Sequence, residues 1–165
     1  MHILLIAITA LTAAVAMYAD VRQRRLFNWL TLGSAAAGLL ARLGTSGPPA
    51  LLSGFEGWLL GIGLLVIPFA VGWMGAGDVK LLGAFGALGG PLFVQQTALY
   101  GCLAGAAAAI VWLAWQRKLS FTLRHFAVLV RHPGETLAEA EATLPFGAAL
   151  SVGALASLAL AGGAA

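Results

Sequence analysis

The chain has 165 residues, of which 61% are hydrophobic and 9% charged, and its mean hydropathy is +0.94. Soluble domains carry about 25% charged residues, so a water-soluble globular domain, a disordered chain, a nucleic-acid-binding module and a secreted disulfide scaffold are all excluded. What remains is an all-α integral membrane protein: six helices of about 20 residues would use about 120 residues, leaving room for connections but not for a second soluble domain.

The first predicted span is 2–19, which holds no Lys or Arg and is followed by Arg22, Arg24 and Arg25. Ala14-Val15-Ala16 resembles a signal-peptidase box, but a signal peptide places its basic residues ahead of the apolar run. The order found here implies a retained helix with its N-terminus outside. Segment 27–43 comes next, then a turn at 44–49 (GTSGPP). Segment 55–73 is strongly apolar and closes on the glycine-rich WMGAGD. Segment 79–96 is interrupted by Gly89, Gly90 and Pro91. Segments 97–115 and 144–163 complete six spans, and none shows the alternation of a barrel strand. Gly57-x-x-x-Gly61 and Gly101-x-x-x-Gly105 suit helix pairing, either within one chain or between two.

Charge placement gives a topology. With the N-terminus outside, the inner connections hold Arg22, Arg24, Arg25, Lys80, Arg117, Lys118, Arg124 and Arg131. Of the nine Lys and Arg residues, only Arg42 falls near an outer end. The positive-inside rule therefore favours six transmembrane helices with both termini outside. The five tryptophans, Trp29, Trp58, Trp73, Trp112 and Trp115, read as interfacial anchors near helix ends. In the long connection 116–143, Leu119, Leu123, Phe126 and Val130 have the spacing of an amphipathic helix on the cytoplasmic surface, before the last span. Cys102 stands alone, so neither an internal disulfide nor a zinc cluster forms. His2, His125 and His132 lack metal-ligand spacing, and no metal or cofactor is expected.

Of the six carboxylates, Glu56 lies at an outer helix end and Glu135, Glu139 and Glu141 form a solvated face. Asp20 ends the first span and Asp78 opens the fourth. Two crossings separate them, so both lie at the inner membrane face at similar depth. Two carboxylates that approach in a partly desolvated site share a proton. One can then polarise a water while the other protonates a carbonyl oxygen, as amide hydrolysis by an aspartic protease requires. Two plainer readings compete: Asp78 as the N-cap of the fourth helix, and Asp20 as an interfacial charge paired with Arg22 or Arg24. Gly75 and Gly77 let the backbone bend just before Asp78.

The run GAGDVKLLGAFGALGG at 75–90 resembles the GxGD segment of type IV prepilin peptidases, which are membrane-embedded aspartic proteases. DVRQRRLFNWLT at 20–31 resembles that family's first-aspartate segment, and Leu144-Pro145-Phe146-Gly147 its last-helix signature. The resemblance implies that Asp20 and Asp78 are catalytic and that Gly75 and Gly77 shape the loop. Lys80, Asn28, Pro145, Phe146 and Gly147 match supporting motif positions. Phe27 and Ala148 stand where the family commonly has proline. Full-length relatives carry an inserted domain with paired Cys-x-x-Cys motifs and methylate the new N-terminus. The single cysteine here implies a single peptidase domain over 1–165 that cleaves without methylation. This short form resembles the peptidases of Tad/Flp-type pilus systems, in the bacterial inner membrane. The implied substrates are prepilins and pseudopilins with a basic leader, a glycine before the cut and an apolar helix after it. Besides these, the lipid bilayer is the only partner implied; nucleic acid is not one. The alternative, a small transporter or an assembly scaffold, would use membrane carboxylates as relays or pairing groups, but the central thirds of the spans hold no ionisable group.

Overall fold

The computed structural model describes residues 2–23, 26–72, 74–115 and 146–163, and these are all-helical in their regular structure. The amphipathic connection expected at 116–143, together with Trp73, Arg24, Arg25 and Pro145, lies outside the described residues. The helices are α1 (Ile3–Gln23), α2 (Asn28–Ala70), α3 (Ala76–Gly89), α4 (Pro91–Trp115) and α5 (Phe146–Gly163). Among the described residues, three helical stretches are long and apolar enough to cross a membrane: Ile3–Gln23, Asn28–Ala70 and Pro91–Trp112.

The turn expected at 44–49 is a single-residue break. α2 is helical on both sides of Gly47, which alone has non-helical angles (φ 76°, ψ −169°). That region favours glycine, and the Pro48-Pro49 pair that follows suits the first turn of a new helix but not the continuation of an old one. The chain doubles back here. A Cβ built on Gly54 would lie 2.8 Å from the Arg42 side chain and 3.0 Å from that of Leu39. In a straight helix those residues would be roughly 18–22 Å apart. The expected fourth span is divided: α3 ends at Gly89, Gly90 takes φ 84°, and Pro91 starts α4.

α3 is the central element. Val79 and every residue from Leu81 to Leu88 are buried. Glycine makes this possible: Gly57 in the second arm of α2 meets the backbone of Gly86 and Gly90, and Gly61 meets that of Leu82 and Gly83. In the first arm, a Cβ on Gly38 would lie 2.9 Å from Leu88. The second glycine pair serves the same purpose between α4 and α5, where Gly101 faces Leu150 and Gly153 meets the backbone of Thr97 and Gly101. Both pairs therefore work within the chain. Close backbone approach of this kind drives helix association where no water-driven core exists. Trp58, partly buried, also packs against this core: its indole lies 3.3 Å from a Cβ built on Gly83.

The outer surface is apolar. Ile3, Leu11, Leu40, Ile67, Leu92, Leu103 and Val111 are all exposed, whereas Thr9, Thr12, Thr31, Ser34, Ser151 and Ser157 are buried. A surface like this suits lipid rather than water. The buried hydroxyls bond back to helix carbonyls, as Thr9 Oγ1 does to the Leu5 carbonyl at 2.7 Å, or between helices, as Thr12 does with Ser34 at 3.0 Å.

Gly57→Ala puts a methyl group into backbone and is expected to lower stability by about 2–3 kcal/mol. Gly63→Ala, in the same arm with nothing within 4 Å of the new Cβ, should be neutral or stabilising by up to about 1 kcal/mol. Thermal unfolding of the two variants in detergent checks this contrast.

Candidate active site

One end of the bundle gathers the C-terminal end of α1, the N-terminal ends of α2 and α3, and the first turn of α5. There a cavity of about 440 Å³ is lined by Asp20, Leu26, Phe27, Asn28, Gly75, Gly77 and Asp78. Asp20 and Asp78 thus share one cavity, brought together by helices that meet at this end.

α1 continues past the expected end of its span to Gln23, which places Asp20 in its last turns, 7% exposed. The carboxylate does not pair with Arg22, whose guanidinium lies 5.9 Å from the centre of the Tyr18 ring. Instead, Asp20 Oδ2 accepts a hydrogen bond from the N–H of Ala148 at 2.8 Å. Amides in the first turn of a helix lack intrahelical acceptors and favour negative charge, so Asp20 occupies the anion-favouring end of α5. Gly147 makes the approach possible. A Cβ there would lie 3.0 Å from Asp20 Oδ2 and 2.9 Å from Leu26 Cδ1.

Asp78 is not the N-cap of α3. That place belongs to Gly75, in extended conformation, and Asp78 is the third helical residue. The Gly75 N–H donates to Asp78 Oδ2 at 3.3 Å, so the carboxylate does contribute to capping from inside the first turn. Asp78 precedes the apolar run of α3 that starts at Val79. Its carboxyl is pushed up to about 6, first by burial and then by the charge of Asp20, with the Gly75 N–H pulling the other way. The charge of Asp20 is thus felt at Asp78 across the cavity that both line.

The surrounding motif residues divide by what they touch. Gly77 is sterically required, since a Cβ there would lie 2.9 Å from Leu26 Cβ, whereas Gly75 has room for one, 3.7 Å from Asp78 Oδ2. Lys80 Nζ donates to Asn28 Oδ1 at 2.9 Å, tying the start of α3 to the start of α2. Phe146 lies 3.5 Å from a Cβ built on Gly105 and so packs α5 against α4. Phe27 has φ −76° and ψ 136°, angles a proline would also hold, so its departure from the motif leaves the backbone shape in place. The departure at Ala148 has a chemical consequence, because proline has no N–H to give to Asp20. Sequence reasoning did not find the roles of Leu26 and Ala148. The available signal was Ala148 itself, a donor-bearing residue at a motif position that commonly lacks a donor. Among the described residues, no three His, Cys, Asp or Glu side chains converge as metal ligands.

A carboxyl whose folded-state pKa lies above its unfolded value binds more protons in the folded state, so stability falls as pH rises through the window between the two values. For Asp78 that window runs from the ordinary value of 3.8 to about 6. Asp78→Asn is therefore expected to melt a few degrees above the wild type at pH 7.5, with the gap closing near pH 4. A difference in melting temperature that does not vary with pH would contradict the assigned environment.

Comparison with well-characterised proteins and with solved structures finds no match to the chain. The sequence profile of the type IV leader peptidase family matches residues 6–110, which include both aspartates, the Asn28 segment and the whole of α3. The chain belongs to the type IV leader peptidase family.

Proposed function

We propose that the protein is a membrane aspartic endopeptidase that removes the leader peptides of type IV and Flp-type prepilins at the cytoplasmic face of the bacterial inner membrane. Asp20 and Asp78 act as its water-activating pair. The observation that carries this reading is their presence in one cavity at one end of an apolar bundle, in a chain of the leader peptidase family.

The chemistry follows from the environments of the two carboxyls. Burial opposes ionisation of both carboxyls, but the Ala148 N–H offsets it at Asp20, so the proposed mechanism places the shared proton on Asp78. Ionised Asp20 takes a proton from water as the oxygen attacks the scissile carbonyl carbon, and Asp78 gives its proton to the carbonyl oxygen. The tetrahedral intermediate collapses when the amide nitrogen leaves with the proton that Asp20 acquired while Asp78 takes back a proton from one hydroxyl of the gem-diol, which becomes the new carboxyl group, and the pair returns to its starting state. The Lys80–Asn28 bond and the Leu26 contact with Gly77 hold the α3 loop against the start of α2. This side of the cavity stays fixed while a substrate strand is bound.

Topology supports the same reading. The cavity end coincides with the side to which the positive-inside rule assigns most Lys and Arg residues. With the N-terminus outside, α1, the two arms of α2, the apolar part of α3, α4 and α5 alternate in direction as six crossings, and both termini lie outside. A basic leader then remains in the cytoplasm while the following apolar helix lies in the bilayer, so the cut falls at the depth of the aspartates. With no paired-cysteine domain in the sequence, cleavage proceeds without N-methylation.

Co-expression with a small candidate prepilin tests the dyad. Asp20→Asn and Asp78→Asn should each reduce leader removal by at least about 100-fold, with melting confirming that the variants fold. Undiminished processing by either one would remove that aspartate from the mechanism. Ala148→Pro, which deletes the donor to Asp20 but keeps both carboxyls, is expected to lower kcat/KM by about tenfold, the worth of one charge-assisted hydrogen bond.

A further inference from the structure

A second cavity, of about 450 Å³, lies at the opposite end of the bundle, where α1 begins and α2 reverses. It is lined by His2, Leu5, Arg42, Ser46 and Ala50. Arg42 lies near the expected outer helix end, and it is only 9% exposed. Its Nε donates to the Leu88 carbonyl at 3.1 Å and its Nη1 to the Ala50 carbonyl at 3.3 Å. These two bonds staple the first arm of α2 to the end of α3 and to the start of the second arm. They leave Nη2 without a hydrogen-bond partner among the described residues, near Gly90 and on a side chain that lines the cavity. No carboxylate among the described residues is paired with this guanidinium, and carbonyl dipoles supply no full negative charge.

We infer that this cavity binds a phosphate group through Arg42, with the Ser46 hydroxyl and the His2 imidazole as further polar contacts. A guanidinium that is largely enclosed, has no carboxylate partner among the described residues and keeps one edge open to the cavity favours an anion there, and that free edge matches the oxygens of a phosphate. Leu5 and Ala50 give the cavity an apolar wall beside its polar groups. It opens where the apolar helices end, at headgroup level in a bilayer, so the phosphate of an anionic lipid and free phosphate are the two sources of the same chemistry. A phosphate held there would add a charged partner to the staple between α2 and α3, away from the aspartates. The inference does not depend on the peptidase reading.

The test uses the purified full-length protein in maltoside detergent, which contains no phosphate. Melting is followed with dioctanoyl phosphatidylglycerol, with dioctanoylglycerol (the same tails without phosphate) and with inorganic phosphate. Specific binding to the folded state raises the melting temperature by mass action. Phosphatidylglycerol should raise it by several degrees and dioctanoylglycerol should not. An equal rise with inorganic phosphate assigns the site to the free anion, and a rise with phosphatidylglycerol alone assigns it to the headgroup. Ser46→Glu, which sets a carboxylate at the cavity while keeping both carbonyl bonds of Arg42, should abolish the shift, and so should Arg42→Gln. If Arg42→Gln does not fold, Ser46→Glu decides the matter alone. No shift with either phosphate source, or a shift of wild-type size in Ser46→Glu, overturns the proposal.

Discussion

The contact between the backbones of Gly57 and Gly86 is the constraint on which the remaining architecture depends. A short, Gly- and Ala-rich helix can be enclosed on all sides only if neighbouring main chains come nearly into touch, and side chains at these positions would forbid it. Once α3 is central, its buried length carries no ionisable group. Asp78 and Lys80 are left at its N-terminal end, where Asp78 lines the cavity shared with Asp20. The position of Asp78 is thus a consequence of packing along the whole helix and not only of the loop ahead of it.

Asp20 reaches the same cavity by another route. It is the side chain of one helix bound to the amide end of another, with Gly147 small enough to admit it. Each carboxylate therefore meets backbone N–H groups at a helix N-terminus: Asp78 at the start of its own helix, Asp20 at the start of α5. These donors and dipoles favour negative charge, while burial and the proximity of the second carboxylate oppose it. Neither influence acts alone, and the water-activating role proposed for the pair rests on their balance keeping one proton between two acids.

Much of this was legible in the residues. Scarce charge, apolar runs and the placement of Asp20 and Asp78 pointed to an all-helical membrane chain with two carboxylates at one end. GTSGPP marked a reversal, and Gly89-Gly90-Pro91 marked an interruption. What could not be read was conformation that hangs on single residues. Within the turn expected at 44–49, Gly47 alone leaves helical geometry, and Gly90 moves the boundary between the expected fourth and fifth spans from 96/97 back to 90. The Asp20–Ala148 bond joins residues distant in sequence through a backbone N–H, and its one trace is a donor-bearing residue where the motif commonly has proline. Arg42 was invisible for a similar reason. Its acceptors are carbonyls, which leave no trace in side-chain identity.

Seen together, the charged groups follow one rule set by α3. Its N-terminal end, where free N–H groups favour anions, holds Asp78 with Asp20 beside it. Its C-terminal end, where free carbonyls favour cations, has the guanidinium of Arg42 on the Leu88 carbonyl. In an apolar bundle, where an isolated charge is expensive at any depth, the two ends of the central helix dipole are the least costly places to put opposite charges. The acidic end gains a second carboxylate because another helix delivers Asp20 to it. The basic end keeps a single cation that two carbonyls orient but do not neutralise.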